Sequence, residues 1–193
     1  MDVRVRSFTG SGGTGRLITE AAVKSNLKNV YLEKSLATMY DDADLDAAAK
    51  ETQHSIAWNS GQVCMANSRI YVQNTVAEKF ITMFKDNCAN VKIGVFTDPG
   101  VQMCPLADES QFQSVNKYGY DKERILCRIT YLSLPKNFEP MKEEIFSTVV
   151  NICTFETEEE VLQKVNDTEY GLHASVYTKD VSREIRMAGF LEV

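Results

Sequence analysis

The stretch Asn59-Ser60-Gly61-Gln62-Val63-Cys64-Met65-Ala66-Asn67-Ser68-Arg69-Ile70-Tyr71-Val72 is where the chain changes its period. Upstream of it, Leu45, Ala49, Thr52 and Ile56 recur on one helical face, opened by Asp41-Asp42-Ala43-Asp44, whose charge suits a helix N-terminus. Downstream, Arg69-Ile70-Tyr71-Val72 reads as a strand. The helix is expected to end near Asn59-Ser60-Gly61, and Cys64 follows directly. A cysteine there becomes a nucleophile if backbone N–H groups face its sulfur and favour the thiolate. Taken alone, an internal cysteine in most proteins is simply a small buried apolar residue.

The same alternation extends in both directions. Val3, Val5 and Phe8 suggest a strand leading into the turn Thr9-Gly10-Ser11-Gly12-Gly13-Thr14-Gly15. Leu17, Ile18, Ala21 and Ala22 then mark a helix to Asn26, and Asn29-Val30-Tyr31-Leu32 a strand that ends at Glu33. A carboxylate at a strand end is either a general base or a solvated loop residue. After Val72, Thr75 is positioned to cap a helix striped with Val76, Phe80, Met83 and Phe84. Pro99, Pro105, Pro135 and Pro140 interrupt any long element between Asp98 and Pro140. Val149 to Phe155 reads as a strand, Thr157-Glu158-Glu159-Glu160 as a capping box, Ala174 to Tyr177 as a strand, and Asp180 as the start of a last helix with Ile185, Met187 and Leu191. Strands alternating with helices define an α/β fold, a mainly parallel sheet with flanking helices.

Composition narrows the function. Asp and Glu outnumber Lys and Arg by 27 to 21 among 193 residues, and no Lys/Arg run can track a phosphate backbone, so no nucleic-acid partner is expected. No apolar run is long enough for a bilayer and the N-terminus has no secretory character, which implies a cytoplasmic protein with no membrane partner. Cys64, Cys88, Cys104, Cys127 and Cys153 are odd in number and form no CxxC pair, so neither disulfides nor a metal site is expected. His54 and His173 read as structural, and residues 156–160 as a solvated helix start. Trp58 either lines a cavity with Asn59 and Gln62 or fills core.

Taken in order, these segments resemble the aldehyde dehydrogenase superfamily nearly from end to end. Phe8-Thr9-Gly10-Ser11 with Gly15 is similar to its glycine-rich turn, and Val30-Tyr31-Leu32-Glu33 to the strand ending in its general base. Gly61-Gln62-Val63-Cys64 followed by Ser68-Arg69 resembles its nucleophile segment. Pro105-Leu106-Ala107-Asp108 resembles a later loop, and Asn166-Asp167-Thr168-Glu169-Tyr170-Gly171-Leu172 a helix-to-strand turn. Glu143-Glu144-Ile145-Phe146 resembles the stretch whose second glutamate holds the nicotinamide ribose. The resemblance implies a catalytic-domain fold over residues 34–193 joined to a remnant of the Rossmann-like cofactor domain over residues 1–33. It gives Cys64 the role of nucleophile and Glu33 that of base, with Gly10, Ser11, Gly15, Glu144 and Phe146 as ancestral cofactor contacts.

Departures from the family pattern set a further expectation. Segments that precede the glycine-rich turn in relatives have no counterpart, Glu33 is followed by Lys34-Ser35 instead of Leu-Gly-Gly-Lys, and Ser147-Thr148 replaces Gly-Pro. These departures predict a dismantled cofactor site and a repurposed enzyme that acts without a cofactor, adding to, cyclising, isomerising or hydrolysing a small carbonyl metabolite. The alternatives are an NAD(P)-dependent aldehyde dehydrogenase and a non-catalytic binding protein. Exposed strand edges and apolar faces would also call for a homo-oligomer, in the first instance a dimer.

Overall fold

The computed structural model describes residues 10, 12–26, 35–116, 130–133, 145–168 and 171–191. Helix α1 (Gly12–Asn26) covers the first helical stretch. Five strands follow, β1 (Ser35–Met39), β2 (Asn67–Gln73), β3 (Thr130–Ser133), β4 (Val149–Phe155) and β5 (His173–Tyr177), all parallel in the order β3-β4-β2-β1-β5. This is the mainly parallel sheet that the alternation predicts.

The sequence reading placed no strand at β1, yet all five of its residues are buried. It lies between β2 and β5 and is covered on both faces, so its side chains show no polar-apolar alternation. One face packs Ala37, Met39, Ile70, Val72 and Ile152 against Ile56 of α2 (Leu45–Ala57) and Phe80 and Phe84 of α3 (Ala77–Ala89). The other packs Leu36, Tyr40, Tyr71 and Phe155 against Val161 and Val165 of α5 (Glu158–Asn166) and Met187 of α6 (Val181–Phe190). Neighbouring residues on one strand thus serve opposite cores, as strand geometry requires.

Caps fix where the helices begin. The Asp44 carboxylate accepts a hydrogen bond from the Ala47 amide, Thr157 Oγ1 accepts from the Glu160 amide, and Asp180 accepts from Ser182 and Arg183. Thr75 is not a cap: it lies inside a 3-10 turn at Asn74–Val76, and α3 starts after Val76 with no side-chain cap. Between Pro99 and Pro140 the described residues contain α4 (Glu109–Asn116) and β3, which the prolines had obscured. The suggested strands at 3–8 and 29–32 lie outside the described residues.

Because the strands are parallel, the sheet has two distinct ends. At the carboxyl end, Asp42 accepts hydrogen bonds from Thr178 Oγ1, the Lys179 and Asp180 amides and Arg183 Nη1 at 2.8–3.1 Å. Arg183 also lies 4.4 Å from the Tyr40 ring centroid, and Arg186 forks onto Glu158 through two bonds of 2.9 Å. The amino end carries Cys64.

Candidate active site

After Ala57 the chain leaves α2 through three consecutive residues in the left-handed region, Asn59 (φ 48°), Ser60 (φ 56°) and Gly61 (φ 71°). Only Gly61 adopts this conformation without steric cost. Its requirement for glycine is double, since a Cβ there would overlap the Ser147 carbonyl and come within 2.8 Å of the Thr148 nitrogen. Hydrogen bonds offset the cost at the other two positions. Asn59 Nδ2 donates to the Gln62 carbonyl at 3.1 Å, and the Ser60 hydroxyl donates to the Cys104 carbonyl. The turn then delivers Cys64 to the mouth of β1, where Ser35 Oγ donates to the Cys64 carbonyl at 2.8 Å.

Cys64 is a partly exposed free thiol that lines a small recess of about 20 Å³ together with Ser35, Gly61, Ser68, Phe146 and Ser147. The structure therefore brings the nucleophile segment against the segment that contains Phe146. Phe146 has φ 51° and is 40% exposed, so its backbone is held in a conformation bulky residues avoid while its ring stays accessible. Burial pushes the Cys88 thiol up to about 12, and burial likewise raises Cys153.

Among the remaining residues singled out from sequence, Trp58 is 58% exposed and stacks on His54 with centroids 6.5 Å apart. Both line a cavity of about 480 Å³ whose walls include Met65, His173 and Tyr177. Val63 and Ala66 border both this cavity and the Cys64 recess, so the two adjoin. The histidines read as structural thus face a cavity. Asn59 and Gln62 are not among its described walls: Asn59 bonds within its own turn, and Gln62 Oε1 accepts from the Ala107 amide at 3.1 Å. Gly10 is an exposed bend, and Gly15 is buried within α1, where its carbonyl accepts from Thr19 Oγ1. Glu33, Ser11 and Glu144 lie outside the described residues.

Sequence reasoning missed Ser35, Ser60 and Gln111, which hold the site by hydrogen bonds. Their only signal was a polar side chain within or beside a segment already picked out. No group of three or more potential metal ligands occurs among the described residues.

Two features fit a dinucleotide. The first turn of α1 carries no acidic side chain, and nothing stands within 4 Å of where a Gly13 Cβ would be, so an anion can approach its backbone. Phe146 also offers an accessible ring beside the Cys64 recess.

A parallel sheet with a half-exposed cysteine in a left-handed turn at its amino end, faced by an accessible phenylalanine, defines a thiol-based α/β site. The family profile described as aldehyde dehydrogenase family matches residues 1–193, and the chain belongs to that family. Aldehyde dehydrogenase 1A1 of Gallus gallus is 35% identical over the whole of this chain and 42% of its own length. Aldehyde dehydrogenase [NAD(P)+] 2 of Saccharomyces cerevisiae is 34% identical, over 95% of this chain and 42% of its own. Among solved structures, an indole-3-acetaldehyde dehydrogenase of P. syringae in complex with NAD+ and IAA superposes with a TM-score of 0.90 at 30% identity, covering 100% of this chain and 44% of that one. Betaine aldehyde dehydrogenase from Staphylococcus aureus in complex with NAD+ gives 0.89 at 27% identity, covering 99% and 42%. The chain spans about two fifths of the length of the curated relatives it matches.

These findings overturn the expectation of a cofactor-free cyclase, isomerase or hydrolase. The relatives are aldehyde dehydrogenases, one named for NAD(P)+ and two solved with NAD+, and none points to non-redox chemistry. The expectation of no cofactor falls with it. One of its premises was that Ser147-Thr148, in place of Gly-Pro, dismantles the site, yet the backbone of Ser147 and Thr148 lies directly against Gly61 in the Cys64 turn. No described helix is long and apolar enough to cross a membrane.

Proposed function

We propose that this chain forms the thiol-bearing part of an NAD(P)-dependent aldehyde dehydrogenase. The observation that carries the reading is the meeting, at one recess, of the strained Cys64 turn with the Phe146 segment. Cys64 Sγ, as thiolate, adds to the aldehyde carbonyl carbon to form a C–S bond. NAD(P)+, when bound, supplies the hydride acceptor that takes the acyl carbon to the oxidation level of a thioester. Glu33 then removes a proton from the water that cleaves this thioester, releasing a carboxylic acid and returning the thiolate.

Gly10, Ser11 and Gly15 would serve the cofactor pyrophosphate at the start of α1, and Glu144 and Phe146 its nicotinamide half. Trp58, in the adjoining cavity, would meet the substrate's side chain. The division between cofactor-binding and catalytic regions is carried at residues 33 and 34. We assign the chain to a homo-oligomer, supported by the exposed Val181, Ile185 and Phe190 of α6; a monodisperse monomer in sedimentation equilibrium would refute that.

The deciding experiment is calorimetric titration of the chain with NAD+ and NADP+, followed by aldehyde oxidation read as reduced-nicotinamide absorbance. Saturable binding, and turnover abolished by Cys64→Ala, would support the reading. Binding of neither cofactor would refute it.

A further inference from the structure

Residues 104–111 touch the site from two sides. From one side they hold the nucleophile turn: the Cys104 carbonyl accepts from Ser60, and the Ala107 amide donates to Gln62. From the other, Gln111 Nε2 donates to the Ile145 carbonyl at 2.9 Å and to the Phe146 carbonyl at 2.8 Å. Gln111 is itself fixed, because its amide donates at 2.8 Å to Asp108, which precedes α4. Leu106, Phe112, Val115, Ile145 and Val149 form a separate buried cluster beneath these bonds. Strained residues persist only where their surroundings over-determine them, and both Ser60 and Phe146 have positive φ.

We propose that residues 104–111 are a brace that sets the position of Cys64 relative to the Phe146 segment, with Gln111 as the positioning residue. One amide nitrogen spans two successive carbonyls of the Phe146 segment, while the same stretch of chain anchors the turn that carries the thiol. Gln111 acts through the backbone of residues 145 and 146. The proposal rests on the dehydrogenase reading only for what the two segments do, since the brace itself can be measured without cofactor.

The test uses the intact chain and two substitutions. Gln111→Glu keeps shape and helix propensity and suits the first turn of α4, but replaces the donor with acceptors that repel the two carbonyls. Gln111→Lys restores a donor. Hydrogen exchange at residues 145–148 and iodoacetamide labelling of Cys64, followed on its own peptide by mass spectrometry, are read beside a thermal melt. In Gln111→Glu both rates should rise by about tenfold, as expected for two lost hydrogen bonds, while the melting temperature falls by only a few degrees and the melt stays cooperative. Gln111→Lys should return them toward the parent. Parent-like rates in Gln111→Glu, or no rescue by lysine, would overturn the brace. If Gln111→Glu does not fold, Gln62→Met removes the acceptor of the Ala107 amide, and unchanged Cys64 labelling there would overturn it equally. A chain that binds no NAD+ but shows these changes keeps the brace and loses the dehydrogenase reading.

Discussion

The two ends of the sheet solve opposite problems with the same strands. At the carboxyl end, Asp42 gathers four donors from residues 178–183 and closes β1 onto β5 and α6 with side chains in ordinary geometry. At the amino end, three left-handed residues lead to a half-exposed thiol; Asn59 is held within its own turn, while Ser60 and the following Gln62 bond to the Cys104 carbonyl and the Ala107 amide far along the chain. In open parallel sheets the carboxyl end is the usual place for a ligand. Here the Asp42 network seals β1 against β5 and α6 at that end, and the strain and the reactive group are together at the other. A closed network stabilises a fold, whereas a strained turn under external restraint presents a side chain, and a substitution should disturb either end without the other.

The largest effect is expected at Gly61. Gly61→Ala sets a methyl against the Ser147 backbone and forces φ 71° on a residue that resists it, so it should destabilise by about 4 kcal/mol or more. Urea unfolding measures this, and a loss under about 1 kcal/mol would mean the turn relaxes freely.

At the sealed end, Asp42→Ala removes four hydrogen bonds, one of them charge-assisted from Arg183, and should cost about 2–3 kcal/mol in the same assay. Cys64 labelling should not change. If labelling changed as well, the two ends would be coupled through β1 and the contrast between them would fail.

Acid should find the sealed end first. Burial works to raise the Asp42 carboxyl, but bonds from Thr178 and Lys179 and the Arg183 charge together hold it below its usual value; Glu158 is held down chiefly by its bond from Arg186. A depressed carboxylate contributes stability that is fully present above its unfolded pKa, about 4, and is lost as pH falls through the lower folded value. The melting temperature should therefore drop below about pH 4, and Asp42→Asn should flatten that drop. An unaltered acid profile would remove Asp42 from the account.

How much of this was legible follows from what each residue's role depends on. Helix α2, strand β4, the capping box at Thr157 and the helix start at Asp180 were readable because periodicity and capping are local. Cys64 was readable because a helix stop and a strand start lie on either side of it. Strand β1 was missed because Ser35-Leu36-Ala37-Thr38-Met39 is buried on both faces and carries no alternation. Asp42 was read as a helix-start charge, while its partners lie 136 to 141 residues away. Gln111 had no signal beyond its place beside residues 105–108, since the carbonyls it serves are backbone groups 34 and 35 residues downstream. Local chemistry was visible; restraint across the fold was not.

The smallest effect separates strain from restraint within the turn. Asn59→Gly relieves a left-handed non-glycine residue, worth about 1 kcal/mol, but forfeits the 3.1 Å bond from Asn59 Nδ2 to the Gln62 carbonyl and adds freedom to the unfolded chain. These contributions oppose one another, so stability should move by no more than about 0.5 kcal/mol. Ser60→Ala keeps the strain at φ 56° and loses only the bond to Cys104, so it has no offset and should cost about 1 kcal/mol. The ordering is the content of the prediction. If Asn59→Gly proved the more destabilising, the turn would be held from within by Asn59, and the restraint from Cys104 would be incidental to the position of Cys64.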